Sequence, residues 1–521
     1  MNIMQGLTHA KKVAGTRNAV VCGQTRYTWN EFEQRTGALA RGLAALGVQH
    51  GDRVTVLMLN CHRYLELYYA CARMGAVIVP LNIRLARPEI VFILNDSESK
   101  ILVVDKSFAP LATGRDTFPT VEHVIYSGDE TPEAMLNYED VVSRGTQEKQ
   151  SVDREMQDND LAGLFYTGGT TGRAKGVMLS HKNIVSNAYH MIMASSYTGQ
   201  DTYLHAGPMF HLADTASTFS LTMVGGQHVF IPMFNPVQML EAIQSERVTS
   251  TLLVPTMINA LLNHPDVDTY DVSSLRRIAY GGAPMPLELL KKGLQKWGPI
   301  FVQAYGMTET APLLTMLEPS DARVEGTPEQ VGRLASCGRE ALGVEVRVVN
   351  MQGEDVESGE IGEIIARGPN IMLGYWRNPE ATAAAVVDGW MHTGDLATLD
   401  QENFIYIVDR SKDMIISGGE NIYTAEVENA LYTHPAVLEA AVIGIPHEQW
   451  GEIVHAVVVC KPGMSASSDE LIVHTRTQIA GYKIPRSIEF RTEALPKSGA
   501  GKILKRDLRE KYWAGKSRQV N

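Results

Sequence analysis

A chain of 521 residues that is 44% apolar, 20% charged and 7% aromatic can bury a sizeable core, and at ~150 residues per domain it spans about three or four units. Its formal charge of −12 argues against any general affinity for nucleic acid, although Lys505, Arg506, Arg509 and Lys511 make a basic stretch near the C-terminal end.

In chain order, Thr28 and Glu31 form a capping-box pattern, and Trp29, Phe32, Leu39, Leu43 and Leu46 mark one face of the helix that follows. Residues 53–58 alternate like a strand, with Val54 and Val56 on one face. A helix is predicted around 64–74, then short apolar strands at 76–80 and 101–105. This rhythm over the first 110 residues predicts a mostly parallel sheet with crossover helices. Residues 144–160 are polar and read as a surface connection. A second alternating α/β stretch runs to about residue 315, with strands expected at 251–254, 277–280 and 300–303. Between 340 and 400, the stretches 344–349 and 362–366 read as strands of a smaller antiparallel unit, and short elements after Asp409 read as a compact final domain.

The five cysteines (Cys22, Cys61, Cys71, Cys337, Cys460) have no metal-ligand spacing and read as reduced thiols, so a cytoplasmic location is expected. The first residues lack the apolar core of a signal peptide, and no apolar run approaches the ~18 residues of a membrane span. Peripheral membrane contact and a homodimer stay open.

Residues 166–176 read Tyr-Thr-Gly-Gly-Thr-Thr-Gly-Arg-Ala-Lys-Gly. Glycines let backbone N–H groups approach phosphate oxygens, the threonines add hydroxyls and Lys175 adds charge. Neither a Walker A loop nor a GxGxxG fingerprint can be drawn through the chain. Alone, such a string also suits a surface loop without a ligand. Six further segments follow in order: residues 208–211 (Pro-Met-Phe-His), 280–284 (Tyr-Gly-Gly-Ala-Pro), 303–310 (Gln-Ala-Tyr-Gly-Met-Thr-Glu-Thr), 390–395 (Trp-Met-His-Thr-Gly-Asp), 409–421, and 496–502 (Pro-Lys-Ser-Gly-Ala-Gly-Lys). Together with the loop they resemble the motifs of the adenylate-forming (ANL) superfamily, in its acyl-CoA synthetase branch, over nearly the whole chain. Of the branch, bacterial medium- and long-chain fatty acid–CoA ligases look nearest. The loop departs from the family pattern YTSGTTGxPKG at Gly168 and Ala174.

The resemblance implies an α/β fold: a large N-terminal domain (residues 1–410) of two α/β subdomains plus a β-rich one, a hinge at 411–412, and a small mobile α+β C-terminal domain (413–521). It implies that ATP, Mg2+ and coenzyme A are used and that a carboxylic acid is activated as an acyl-adenylate before transfer to the thiol. Thr167, Gly169, Thr170, Thr171, Gly172 and Lys175 would cradle phosphate. Gly281, Gly282, Ala283, Ala304, Tyr305 and Gly306 would flank adenine, with Tyr305 stacking on it. Asp395 would take both ribose hydroxyls on its two oxygens, with Ile407 and Arg410 nearby. Glu309 would hold Mg2+, Thr308 would touch phosphate, and Lys502 would bridge the acid's carboxylate and the α-phosphate. Read singly, Glu309 is a solvated acid, Asp395 a turn residue and Lys502 a tail lysine; the ordered set reverses that preference.

The same resemblance puts the rotation between half-reactions at Lys412 and coenzyme A near Ser417, Gly418, Gly419, Glu420, Trp450 and Arg486. For Trp450 and Arg486, plain surface or core packing is an equal reading. The acyl pocket is expected among His211, Ala213, Val254, Met257 and Met307, with Leu212 and Leu313 close by. These residues favour an apolar acid, a medium- or long-chain fatty acid first, with an aryl or hydroxycinnamic acid as the alternative. A catalytically silent nucleotide-binding regulator on the same scaffold is the rival from another class.

Overall fold

The first long helix begins at the expected cap. The Glu31 N–H donates to the Thr28 hydroxyl, and the Thr28 N–H donates to the Glu31 carboxylate, closing the box ahead of helix Trp29–Ala45. Trp29, Phe32, Leu39 and Leu43 are buried on that helix. The computed structural model describes residues 1–167, 174–283, 285–498 and 501–514.

Strand Arg53–Leu57 lies in an eight-stranded sheet, counted among the described residues. The sheet runs Gly374–Tyr375, Lys175–Ser180, Leu161–Thr167, Val77–Pro80, Arg53–Leu57, Ser99–Asp105, His123–Ser127, Leu136–Asn137. Thr55 and Leu57 are buried as fully as Val54 and Val56, because a strand with parallel neighbours on both sides is covered on both faces.

A second sheet has nine strands among the described residues: Arg339–Glu340, Leu313–Leu317, Phe301–Gly306, Arg277–Gly281, Ser250–Leu253, Thr202–His205, Gln227–Phe230, Asn18–Cys22, Thr25–Thr28. The last two correct the sequence reading, which took the first 110 residues as one block. Val20 pairs in parallel with His228, far along the chain. Local patterning identifies a strand but does not name its partner. Helices between the two sheets share one core with both: Leu7, Phe32, Tyr69 and Phe219 pack with Val54 and Val56 of the first sheet and Val20 and Phe230 of the second.

The predicted antiparallel unit is present. Glu345–Val349 pairs with Gly362–Arg367, that strand with Trp390–Leu399, and that with Ile405–Arg410. Sheet membership then changes. Ile415–Ser417 belongs to a separate sheet, five-stranded among the described residues, built on Val437–His447 and Gly451–Cys460, with its own core around Ile415, Val427, Leu431, Val442 and Val454. Helix Tyr138–Gln147 extends into the stretch read as a surface connection, and residues 148–160 carry neither helix nor strand. No helix of the described residues is long and apolar enough to cross a membrane.

Candidate active site

The carboxyl ends of parallel strands in the second sheet converge with the antiparallel unit, the place where open α/β sheets build ligand crevices. Gly281 ends its strand so close to the next that a Cβ there would lie 2.2 Å from the Ala304 carbonyl oxygen. Gly306 ends that next strand, and a Cβ on it would lie 1.6 Å from the Pro312 oxygen. Gly282 is left-handed (φ 74°) with open space around it, and Ala283 beside it is half-buried. The Tyr305 hydroxyl donates to Asp395 Oδ2 at 2.8 Å, and Arg410 Nε lies 2.9 Å from Asp395 Oδ1. Each carboxylate oxygen keeps a further lone pair for another donor. Ile407 is exposed on the same strand as Arg410.

Glu309 sits in the one-turn helix Thr308–Thr310, beside half-buried Thr308. It is buried and accepts from the Tyr375 hydroxyl at 2.8 Å. Burial raises its pKa, opposed first by the Tyr375 hydrogen bond and then by Arg410 and Lys175. The Lys175 ammonium stands 4.8 Å from the centre of the Tyr375 ring. Lys175, Tyr375, Glu309 and Arg410 therefore face one another. Buried Asn370 donates to the carbonyls of Thr310 (2.7 Å) and Leu313 (2.9 Å), fixing this turn. Thr167 pairs with Lys175 across the strands that flank the glycine loop. Gly169, Thr170, Thr171 and Gly172 lie outside the described residues.

Lys502 reaches the same region from the C-terminal unit. Its N–H donates to Ser498 Oγ at 3.1 Å, a Cβ on Gly501 would lie 3.0 Å from Val254, and Arg84 donates to the Ser498 carbonyl at 2.9 Å. Burial, then the charge of Arg410, pushes the Lys502 pKa down to about 8; Lys412 adds to the effect, while Asp395 and Asp413 oppose it. Among the described residues its ammonium makes no hydrogen bond or ion pair. Lys412 lies between the two units, and burial followed by Arg410 likewise brings its pKa down to about 8. Around it, Asp409 accepts from Thr424 N–H and Oγ at 2.5 and 2.9 Å, Asp413 pairs with Arg509 at 2.9 Å, and Lys505 pairs with Glu428 at 2.8 Å.

A cleft beside the Lys502 loop is lined by His211, Ala213, Val254, Met257, Gly281 and Gly282. Met307, expected here, instead packs half-buried against the core between the two sheets, and Leu313 is buried within the protein. His211 caps helix Leu212–Val224, its Nδ1 accepting from the Ala213 N–H at 3.2 Å. Burial pushes its pKa down to about 4, so the ring is neutral near pH 7 and its proton sits on Nε2. Asn60 holds the preceding loop, donating to the carbonyls of His205 and Gly207 and accepting from the Met209 N–H.

In the C-terminal unit, Ser417, Gly418, Gly419 and Glu420 form a tight hairpin with φ of 61° and 90° at its two glycines. Trp450 lies on that turn: its ring is 2.6 Å from where a Gly418 Cβ would stand, and the Gly418 N–H donates to its carbonyl at 2.9 Å. Arg486 sits apart, exposed, with its N–H on the Val454 carbonyl. The sequence reading missed Tyr375, Asn60 and Asn370. Only burial of a lone polar side chain marks them, and a motif cannot display that.

Residues 7–376 match the AMP-binding enzyme family and residues 426–502 the AMP-binding enzyme C-terminal domain. The chain belongs to the AMP-binding enzyme family. Within this family it is 42% identical over 499 residues to a feruloyl-CoA synthase of Amycolatopsis, covering 95% of this chain and 96% of that one. It is 36% identical over 525 residues to a long-chain-fatty-acid–CoA ligase of Thermus thermophilus, covering 98% and 96%. The structure of ATP-bound MatB from Rhodopseudomonas palustris superposes with a TM-score of 0.88 at 31% identity, covering 99% of this chain and 100% of that one. This family member is an AMP-forming acyl-CoA synthetase of the adenylate-forming superfamily, which removes the silent regulator from the readings.

Proposed function

We propose that this ligase activates an aryl-propenoic acid of the hydroxycinnamate type, with Lys502 bringing acid and ATP together. The observation that carries the first step is the half-buried ammonium of Lys502 near Asp395 and Arg410, which has no partner among the described residues. An unpaired buried charge is costly, and an incoming carboxylate and α-phosphate are the anions that offset it. The carboxylate oxygen attacks the α-phosphorus, the bond to the bridging oxygen breaks, and pyrophosphate leaves. Asp395 offers acceptors to the ribose hydroxyls, and Thr308, Thr167 and Lys175 offer donors to phosphate.

Among the described residues no three His, Cys, Asp or Glu side chains make a metal cage. Mg2+ does not need one: it takes most of its ligands from phosphate and water and one or two from carboxylates, which buried Glu309, steadied by Tyr375, fits. When bound, Mg2+ neutralises charge on the phosphoryl oxygens. For the second step the C-terminal unit turns about Lys412. The thiol sulfur of coenzyme A then attacks the acyl carbonyl and AMP leaves, with the Ser417–Glu420 hairpin and Trp450 along the pantetheine route.

Two features favour an aryl acid over the fatty acid expected first. Neutral His211 keeps an Nε2–H with no protein partner among the described residues, a donor that an alkyl tail cannot use. The extent of identity to the feruloyl-CoA synthase points the same way. Acid-dependent AMP release with coenzyme A, measured over hydroxycinnamates, benzoates and C8–C16 fatty acids, tests the reading. Hydroxycinnamates should give the highest kcat/KM, and a preference for fatty acids removes it.

A further inference from the structure

The wall of the acyl cleft is not uniformly apolar. Asp214, on the first turn of the helix that His211 caps, lines the cleft while only 1% exposed. Its two oxygens are each held from behind. The Tyr203 hydroxyl donates to Oδ1 at 3.0 Å and His205 Nδ1–H donates to Oδ2 at 2.6 Å. His205 is in turn bonded to His228 at 2.9 Å, and His228 to the Thr222 hydroxyl at 3.0 Å. The network is buried throughout. A second polar group lies on the same side. Strand alternation puts Ser250 on the face of Leu252 and Val254, both of which line the cleft. Ser250 Oγ is buried and makes no hydrogen bond of good geometry, although it faces the Tyr197 hydroxyl, which is bonded to Ser217.

Val254, against the Lys502 loop, and Leu252, two residues deeper along the strand, both line the cleft, and Ser250 lies two residues beyond Leu252 on the same strand face. From Val254 to Ser250 is four residues of strand, about 13 Å at 3.3 Å per residue. The reacting carboxyl belongs at the Lys502 end, so the distal end of the acid meets the polar end. A carboxylate has about four acceptor positions, and Tyr203 and His205 occupy two of those on Asp214.

We infer that the inner end of the acyl cleft is a hydroxyl-recognition subsite in which Asp214, oriented by Tyr203 and His205, accepts a hydrogen bond from a hydroxyl group on the substrate's ring, making Asp214 a specificity-determining residue. This rests on the aryl reading above and sharpens it. Tyr203 and His205 are positioning residues, since they act on the substrate through Asp214. A purely structural role would leave Asp214 satisfied by its two protein donors and indifferent to the acid.

The test is the ratio of kcat/KM for 4-hydroxycinnamate to that for cinnamate, two acids that differ by one ring hydroxyl. A charge-assisted hydrogen bond in a buried site predicts a wild-type ratio of about ten to a hundred. Asp214→Asn should bring the ratio towards one, chiefly through a higher KM for the hydroxylated acid. Ser250→Ala removes a side chain with no good partner, so it should fold as the wild type does and lower the ratio by a smaller factor. A wild-type ratio near one overturns the inference without any variant, which covers the case in which Asp214→Asn fails to fold. An unchanged ratio in folded Asp214→Asn also overturns it. If aryl acids are used but the ratio is near one, this inference alone falls; if only fatty acids are used, the aryl reading falls and takes this with it.

Discussion

Raising the pH should switch off adenylation through Lys502. The ammonium form is the one that can bridge two anions, and burial with the charge of Arg410 brings its pKa from 10.5 down to about 8. A group with that pKa is about ten-to-one protonated at pH 7 and about one-to-ten at pH 9. The kcat/KM for acid-dependent pyrophosphate release without coenzyme A should therefore fall about tenfold between those pH values. An ordinary lysine would stay almost wholly charged over that range. The assay is a single-turnover pyrophosphate measurement at subsaturating acid, so that the free enzyme is what titrates. Lys502→Arg keeps a permanent charge and should flatten the limb even where its rate is lower. Thioester formation from pre-made acyl-adenylate should not show this limb, because Lys502 is no longer at the reacting atoms. Adenylation that stays level to pH 9.5, or a limb that survives in Lys502→Arg, would refute the assignment.

Glu309→Gln should slow adenylation at least about a hundredfold, as expected for loss of a group that stabilises transition-state charge. It should also raise the ligand-free melting temperature at pH 8. Burial raises the Glu309 pKa, so its stabilising contribution is full below the unfolded value and is lost as pH rises through the folded one; calorimetry with and without ATP separates the two effects. Lys412→Pro fixes φ at the junction of the two units and should leave acyl-adenylate formation near wild type while slowing thioester formation more than about tenfold. Equal loss of both half-reactions would count against the hinge. Gly281→Ala puts a Cβ 2.2 Å from the Ala304 oxygen and should cost about 1–3 kcal/mol in denaturant unfolding, with loss of nucleotide affinity, because it parts two strands of the site.

Much of the site was legible because its residues travel in short segments whose order survives in the chain. Glu309 and Thr308 share a turn, and Asp395 and Arg410 face each other across one strand pair. Helix starts were legible too, since the Thr28–Glu31 box is a local bond. What was not legible depends on distance along the chain. Tyr375 meets Glu309 from a two-residue strand with no pattern of its own, and Asn60 fixes the loop before His211 from another sheet. Met307 was placed in the pocket because of its neighbours, whereas its side chain turns towards the core. Asp214 has no motif of its own; its burial and its two donors, Tyr203 and His205, mark it only in the folded chain.

The pairing of Val20 with His228 bears on how the protein is made. A ribosome adding about 5–20 residues per second leaves some ten to forty seconds between the emergence of Asn18–Cys22 and that of Gln227–Phe230. Through that interval the early strand has only its hairpin partner Thr25–Thr28, and its apolar side chains have no second sheet to enter. The nascent chain therefore carries an exposed sticky edge while about two hundred further residues are made. Holdase chaperones that cover this edge should therefore matter more for the yield of this ligase than its finished stability does.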